Sequence, residues 1–150
     1  MLIPHQLTID SCVINSKGRI YAMNLIEKLH EEEKVEIFTT DTMEEELTPD
    51  SSQWHKQADY IYALKKPDQH EYPKRFEKIK QIVFPKVVKL TLNQERDIHH
   101  LATHLKYLHD FFLTTDGAIL EAAPCLELLG IRAITPEGYL KSYWPDLVAF

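Results

Sequence analysis

The chain reads as an α/β domain with a central, mostly parallel sheet. Three observations predict it. Short runs rich in β-branched residues recur along the sequence, stripes of apolar residues at helical spacing stand between them, and Pro or Gly closes several of the helical stretches. At 150 residues the chain fits one domain, large enough to bury roughly two-thirds of its unfolded surface.

"LTIDSCVI" at 7–14 is the first strand candidate. "IYAMNLIEKLHEE" at 20–32 puts Ile20, Met23, Ile26 and Leu29 on one helical stripe. "VEIFTT" at 35–40 is a second strand, after which Thr40, Asp41 or Thr42 would cap a helix over "MEEEL", stopped by Pro49. "SSQWHKQADYIYALKK" at 51–66 has a helical pattern ended by Pro67, with a shorter helix expected over 74–83. This region, about 50–90, interrupts the alternation and reads as an inserted helical pair inside a single domain spanning 1–150. "VVKLTL" at 87–92 is a short strand or an extended lead-in to the clearest amphipathic helix, "NQERDIHHLATHLKYLHD", with Ile98, Leu101, Leu105 and Leu108 on one stripe. "FFLTT" is a strand, "GAILEAAPCLELLG" a helix closed by Gly130, and "IRAIT" a last strand. "PEGYLKSYW" opens a final helix with Pro136 in its first turn.

Composition excludes several classes. No run approaches the ~20 apolar residues of a membrane span and no signal peptide is visible at the start, so a cytoplasmic location without membrane partners is expected. Cys12 and Cys125 are too few for a disulfide framework and, from their apolar neighbours, read as buried free thiols. The net charge of −6 argues against a protein that coats nucleic acid indiscriminately. That charge is unevenly spread. Lys65 to Lys89 carries eight basic residues, Lys74, Arg75 and Lys78 among them, against three acids, whereas Glu27 to Asp50 is strongly acidic.

The acids carry the chemistry. In parallel sheets, ligands bind outside the carboxyl ends of the strands. Asp10 lies toward the end of the first strand, Asp116 directly after "FFLTT", and Glu46 on the helix after the second strand. Asp97 joins them if its helix starts at the same edge. Two carboxylates ~5 Å apart at an effective dielectric near 20 repel by about 3 kcal/mol, so such a cluster needs a neutralising partner. Oxygen donors of this kind suit Mg²⁺ or Mn²⁺. His100 and His104, one helical turn apart, have a spacing that can bind zinc, but no HExxH pattern or cysteine pair accompanies them. There is no Gly-rich phosphate loop and no GxSxG elbow. Trp54, Tyr60 and Tyr62 are read as packing residues, and Trp144 as core.

These segments, in order, resemble a PIN-domain ribonuclease. "TIDSCVI" resembles the family's opening strand with its first acid, Asp10, followed by a hydroxyl residue, Ser11. "TTDTMEEELTP" resembles a Thr-x-x-hydrophobic-x-x-Glu-Leu segment (Thr40, Met43, Glu46, Leu47), with Glu45 a rival for the acid. "RDIHHLATHL" resembles the helix bearing the third acid, Asp97, and "FFLTTDGAIL" the strand ending Thr-x-Asp, with Thr114 and Asp116. Cys12, where the family commonly has Asn or Ser, and a longer middle are departures. The resemblance implies a three-layer α/β/α fold and cleavage of RNA phosphodiesters with one or two Mg²⁺ or Mn²⁺ ions held by Asp10, Glu46, Asp97 and Asp116. Ser11 and Thr114 would support them. It implies RNA, single-stranded or structured, as substrate, and it admits an antitoxin protein and a homodimer as partners. A PIN-like module that binds RNA or protein without cutting is the alternative. Lys74, Arg75 and Lys78 are the expected RNA contacts.

Overall fold

The computed structural model describes residues 3–14, 18–42, 61–64 (backbone only) and 72–148. Glu45, Glu46, Trp54, Tyr60 and the helix expected over "MEEEL" fall outside these residues, except that a helical turn begins at 41–42.

Among the described residues, five strands form one parallel sheet: β1 (His5–Ile9), β2 (Val35–Thr40), β3 (Ile61–Leu64), β4 (Phe111–Leu113) and β5 (Ala133–Ile134), in the order β3-β2-β1-β4-β5. The helices are α1 (Tyr21–Glu31), α2 (Tyr72–Val83), α3 (Leu92–Tyr107), α4 (Gly117–Glu121), α5 (Ala123–Leu129) and α6 (Pro136–Tyr143). Alternation along each strand sorts the side chains to two faces. On one, Leu7, Ile9, Val35, Ile37, Phe111 and Leu113 pack with Met23, Ile26 and Leu29 of α1 and with Tyr139 and Leu140 of α6. On the other, Phe112 packs with Ile79 and Val83 of α2, Ile98, Leu101 and Ala102 of α3, Ile119 of α4 and Leu126 of α5. Helices therefore cover both faces, as a parallel sheet requires.

Under β1 and β2 the α3 face is polar rather than apolar. The His104 Nδ1 lies 2.8 Å from the Thr8 hydroxyl, which lies 3.0 Å from the His109 Nδ1. His100 Nδ1 is 2.6 Å from the Thr40 hydroxyl. All five side chains are buried. These bonds hold α3 alongside the apolar packing of Ile98 and Leu101. Leu105 is half-buried, and Leu108 ends the helix in a left-handed conformation at φ 54°, 76% exposed.

Several sequence expectations need correction. The 51–66 helix is replaced at its end by β3, because parallel pairing with Phe38–Thr40 outweighs the local helical pattern. The inserted region therefore supplies an edge strand as well as α2, which begins two residues earlier than expected, at Tyr72. Residues 87–91 form no strand and lead directly into α3. The first strand stops at Ile9, where Asp10 caps a short 3₁₀ turn over Ser11–Val13. The regular strand within "FFLTT" is Phe111–Leu113, with the Thr114 N–H still donating to the Ile134 carbonyl of β5. "GAILEAAPCLELLG" is two helices, α4 and α5, meeting at Ala122, because Pro124 lacks an N–H and takes the start of a new helix. Cys12 and Cys125 are free thiols, but both are exposed: one stands in the turn at the sheet edge, the other on the outer side of α5. No helix among the described residues is long and apolar enough to cross a membrane.

Candidate functional site: a carboxylate cleft at the sheet edge

β1 and β4 are neighbours in the sheet, but the chain leaves them toward opposite sides, β1 toward β2 and β4 toward β5. Such a reversal opens a crevice at the carboxyl ends of the two strands. A cleft of about 290 Å³ lies there, lined by Asp10, Ser11, Cys12, Asn93, Asp97 and Asp116. Three of the four acids expected from the sequence thus share one cleft, and among the described residues no Lys or Arg lines it. Glu46 lies outside the described residues.

Each acid is aimed by its local structure. Asp10, only 3% exposed, accepts the Ser11 N–H at Oδ1 (2.8 Å) and the Thr114 hydroxyl at Oδ2 (2.8 Å). Its own N–H donates to the Leu113 carbonyl, extending the β1–β4 ladder by one residue. Thr114 is the bridge. While donating to Asp10, its Oγ1 accepts the Asp116 N–H (3.0 Å), so one buried hydroxyl links the acids that follow two adjacent strands. Asp116 caps α4, with Oδ1 accepting the Ile119 N–H (3.0 Å). That bond spends one carboxylate oxygen and fixes the rotamer.

Asp97 comes from α3, whose start is set by a reciprocal box: Thr91 Oγ1 accepts the Gln94 N–H and Gln94 Oε1 accepts the Thr91 N–H. Because α3 feeds β4, its first turns lie at the carboxyl edge and deliver Asp97 to the acids. Asn93, four residues earlier on the same helix face, reaches the cleft too. The sequence reading missed Asn93; its signal was that offset from Asp97.

Cys12 sits 3.5 Å from both Asp10 Oδ2 and Thr114 Oγ1, and its sulfur accepts the Thr115 N–H (3.4 Å) and hydroxyl (3.3 Å). Burial of the sulfur and the nearby Asp10 charge push the thiol pKa up. At neutral pH it is therefore a neutral S–H donor to the carboxylate and not an activated nucleophile.

The other expected contacts lie elsewhere. Lys74 and Lys78 are exposed and Arg75 is half-buried on α2, and none of them lines the cleft. His100 and His104 point to the sheet hydroxyls, away from a shared ligand site. Among the described residues, no group of three or more His, Cys, Asp or Glu side chains lies close enough to hold a metal ion directly.

The donor set itself suits a hard divalent cation: three carboxylates, a hydroxyl from Ser11 and an amide from Asn93. Comparison of the chain with protein-family models, with curated proteins and with solved structures finds no match, and the reading of this cleft rests on its own geometry.

Proposed function

We propose that the protein is a PIN-like, Mg²⁺- or Mn²⁺-dependent ribonuclease that hydrolyses RNA phosphodiester bonds at this cleft. One observation carries the reading: Asp10, Asp97 and Asp116, drawn from three separate segments, line one cleft. A bound divalent ion supplies a water of lowered pKa and stabilises negative charge on phosphate. Asp10, Asp97 and Asp116 would hold it, with Glu46 the fourth acid expected from sequence. Asp10 is held by the Ser11 N–H and the Thr114 hydroxyl, so it enters the site already oriented. Asp116 keeps its second oxygen toward the cleft because its first is fixed on the α4 backbone. The Ser11 hydroxyl and Asn93 amide are placed to donate to a phosphate oxygen or to a bound water. A role as the toxin of a toxin–antitoxin pair is consistent with this chemistry.

A second reading, an RNA- or protein-binding module without cleavage, is favoured by the absence of a directly ligating trio among the described residues. Incubating labelled single-stranded RNA with the purified protein, with and without Mn²⁺, separates the two. Cleavage that needs Mn²⁺ and disappears in Asp116→Asn supports the nuclease. RNA retention without cleavage at any metal concentration supports the module.

A further inference from the structure

Across the sheet edge from Asp97 lies a second cavity, of about 390 Å³, between the first turns of α1 and α6. Ile20, Tyr21 and Pro136 give it apolar walls, and Thr115, Thr135 and Glu137 give it polar ones. Tyr21 is 63% exposed, so its ring face is open to a ligand entering from solvent. The cavity adjoins the carboxylate cleft through a single pair of residues: Thr115 lines the cavity, Cys12 lines the cleft, and the two are bonded to each other. Thr115 also directly precedes Asp116 in the chain. A polymer whose phosphate lay at the acids would have its neighbouring unit at this opening.

We infer that this cavity is a nucleobase subsite, in which one unpaired base of the RNA, adjacent to the scissile phosphate, stacks on Tyr21 and is read at its edge by Glu137, Thr115 and Thr135. The inference rests on the ribonuclease reading for the position of the phosphate. Splayed single-stranded bases bind proteins by stacking on aromatic rings while their edges are hydrogen-bonded. The polar atoms define which edge fits. Thr135 Oγ1 already accepts the Gly138 N–H, leaving its hydroxyl proton to donate. Thr115 donates its proton to the Cys12 sulfur, leaving its oxygen to accept. Glu137 is acceptor-only, and its pairing with Lys141 at the solvent edge, through Oε1, leaves Oε2 open. Two acceptors and one donor match a base rich in edge donors. Guanine, with N1–H and N2–H₂ side by side for a carboxylate, matches best.

The test is fluorescence anisotropy of the full-length protein in EDTA, with an oligouridine RNA and the same RNA carrying one central guanine. Wild type should bind the guanine-containing strand more tightly. Tyr21→Ala should weaken its binding about ten-fold, the loss of one base stack. Tyr21→Trp should restore it, and Glu137→Gln should erase only the guanine preference. Wild-type affinity for both strands in Tyr21→Ala, or no RNA binding by the wild type, overturns the inference. Parallel cleavage assays with Mn²⁺ keep the two readings apart. Asp116-dependent cleavage with a silent Tyr21→Ala leaves the nuclease standing without the subsite. Tyr21-dependent binding without any cleavage leaves the subsite standing without the nuclease.

Discussion

Acidification should loosen this protein through the polar layer beneath α3. His104 is fully buried, hydrogen-bonded at Nδ1 to Thr8, edge-on to Phe112 and 6.2 Å in ring centroid from His109. The Thr8 hydroxyl has one proton, so it donates to one of the two imidazoles and accepts from the other. Two neutral rings satisfy this chain, but a proton added to the ring that accepts from Thr8 breaks it. Burial first, and then the His109 charge, push the His104 pKa down from 6.5 to about 3. His109 moves the same way through burial, partly opposed by Asp110. A folded-state pKa below the unfolded one means that the unfolded chain binds the proton more tightly. The stability is therefore complete above about pH 6.5 and falls as the pH drops toward the folded value. Between pH 7 and pH 5, about 1.5 pKa units of that gap are traversed, which costs about 2 kcal/mol from His104 alone. Urea denaturation at the two pH values, followed by tryptophan fluorescence, should show this loss in the wild type. His104→Asn, which keeps a polar atom near Nδ1 but cannot titrate, should start less stable at pH 7 yet lose about 2 kcal/mol less on going to pH 5. If the variant and the wild type lose the same amount, His104 is not the buried neutral imidazole described above.

Three other outcomes are expected. Asp116→Asn should abolish Mn²⁺-dependent RNA cleavage while melting within a few degrees of wild type, since Asn caps a helix about as well as Asp; circular dichroism melts and gel assays read both. Mn²⁺ at about ten times its Kd should stabilise the folded protein by about 1.4 kcal/mol, roughly 3–6 °C in melting temperature, whereas Asp97→Asn should shrink that shift. A shift that Asp97→Asn leaves unchanged would show that the acids do not act together. Replacing Lys74, Arg75 and Lys78 with Glu should weaken RNA binding at all sequences and flatten its salt dependence, with the metal-induced shift intact; unchanged binding at physiological salt would reduce the α2 face to a solvated surface.

The parallel α/β architecture was legible because strands and helices alternate, and because the amphipathic stripes of α1 and α3 name buried faces. Strand-end position was enough to bring Asp10 and Asp116 together, since a parallel sheet puts all its carboxyl ends on one edge. The sequence reading failed where the deciding interaction was distant. Ile61–Leu64 has no local strand signature strong enough to outweigh the helical pattern before it, and only pairing with β2 makes it extended. Ile98 and Leu101 of the α3 stripe are buried as their spacing predicts, but Leu108 is not, and threonines on β1 and β2 hold a second, polar face of the helix through His100 and His104. Cys12 sits among apolar residues in the sequence, yet a 3₁₀ turn rotates it out to the cleft. Hydropathy along the chain does not register such a turn.

The Thr114 hydroxyl joins Asp10, 104 positions before it, to Asp116, just beyond β4. That long loop must close before either carboxylate has its final orientation, so the site belongs to the slow, non-local part of folding. During synthesis Asp10 leaves the ribosome well before the strand that will orient it. Assembly of the cleft is delayed until the chain has passed residue 116, a timing written into strand order alone.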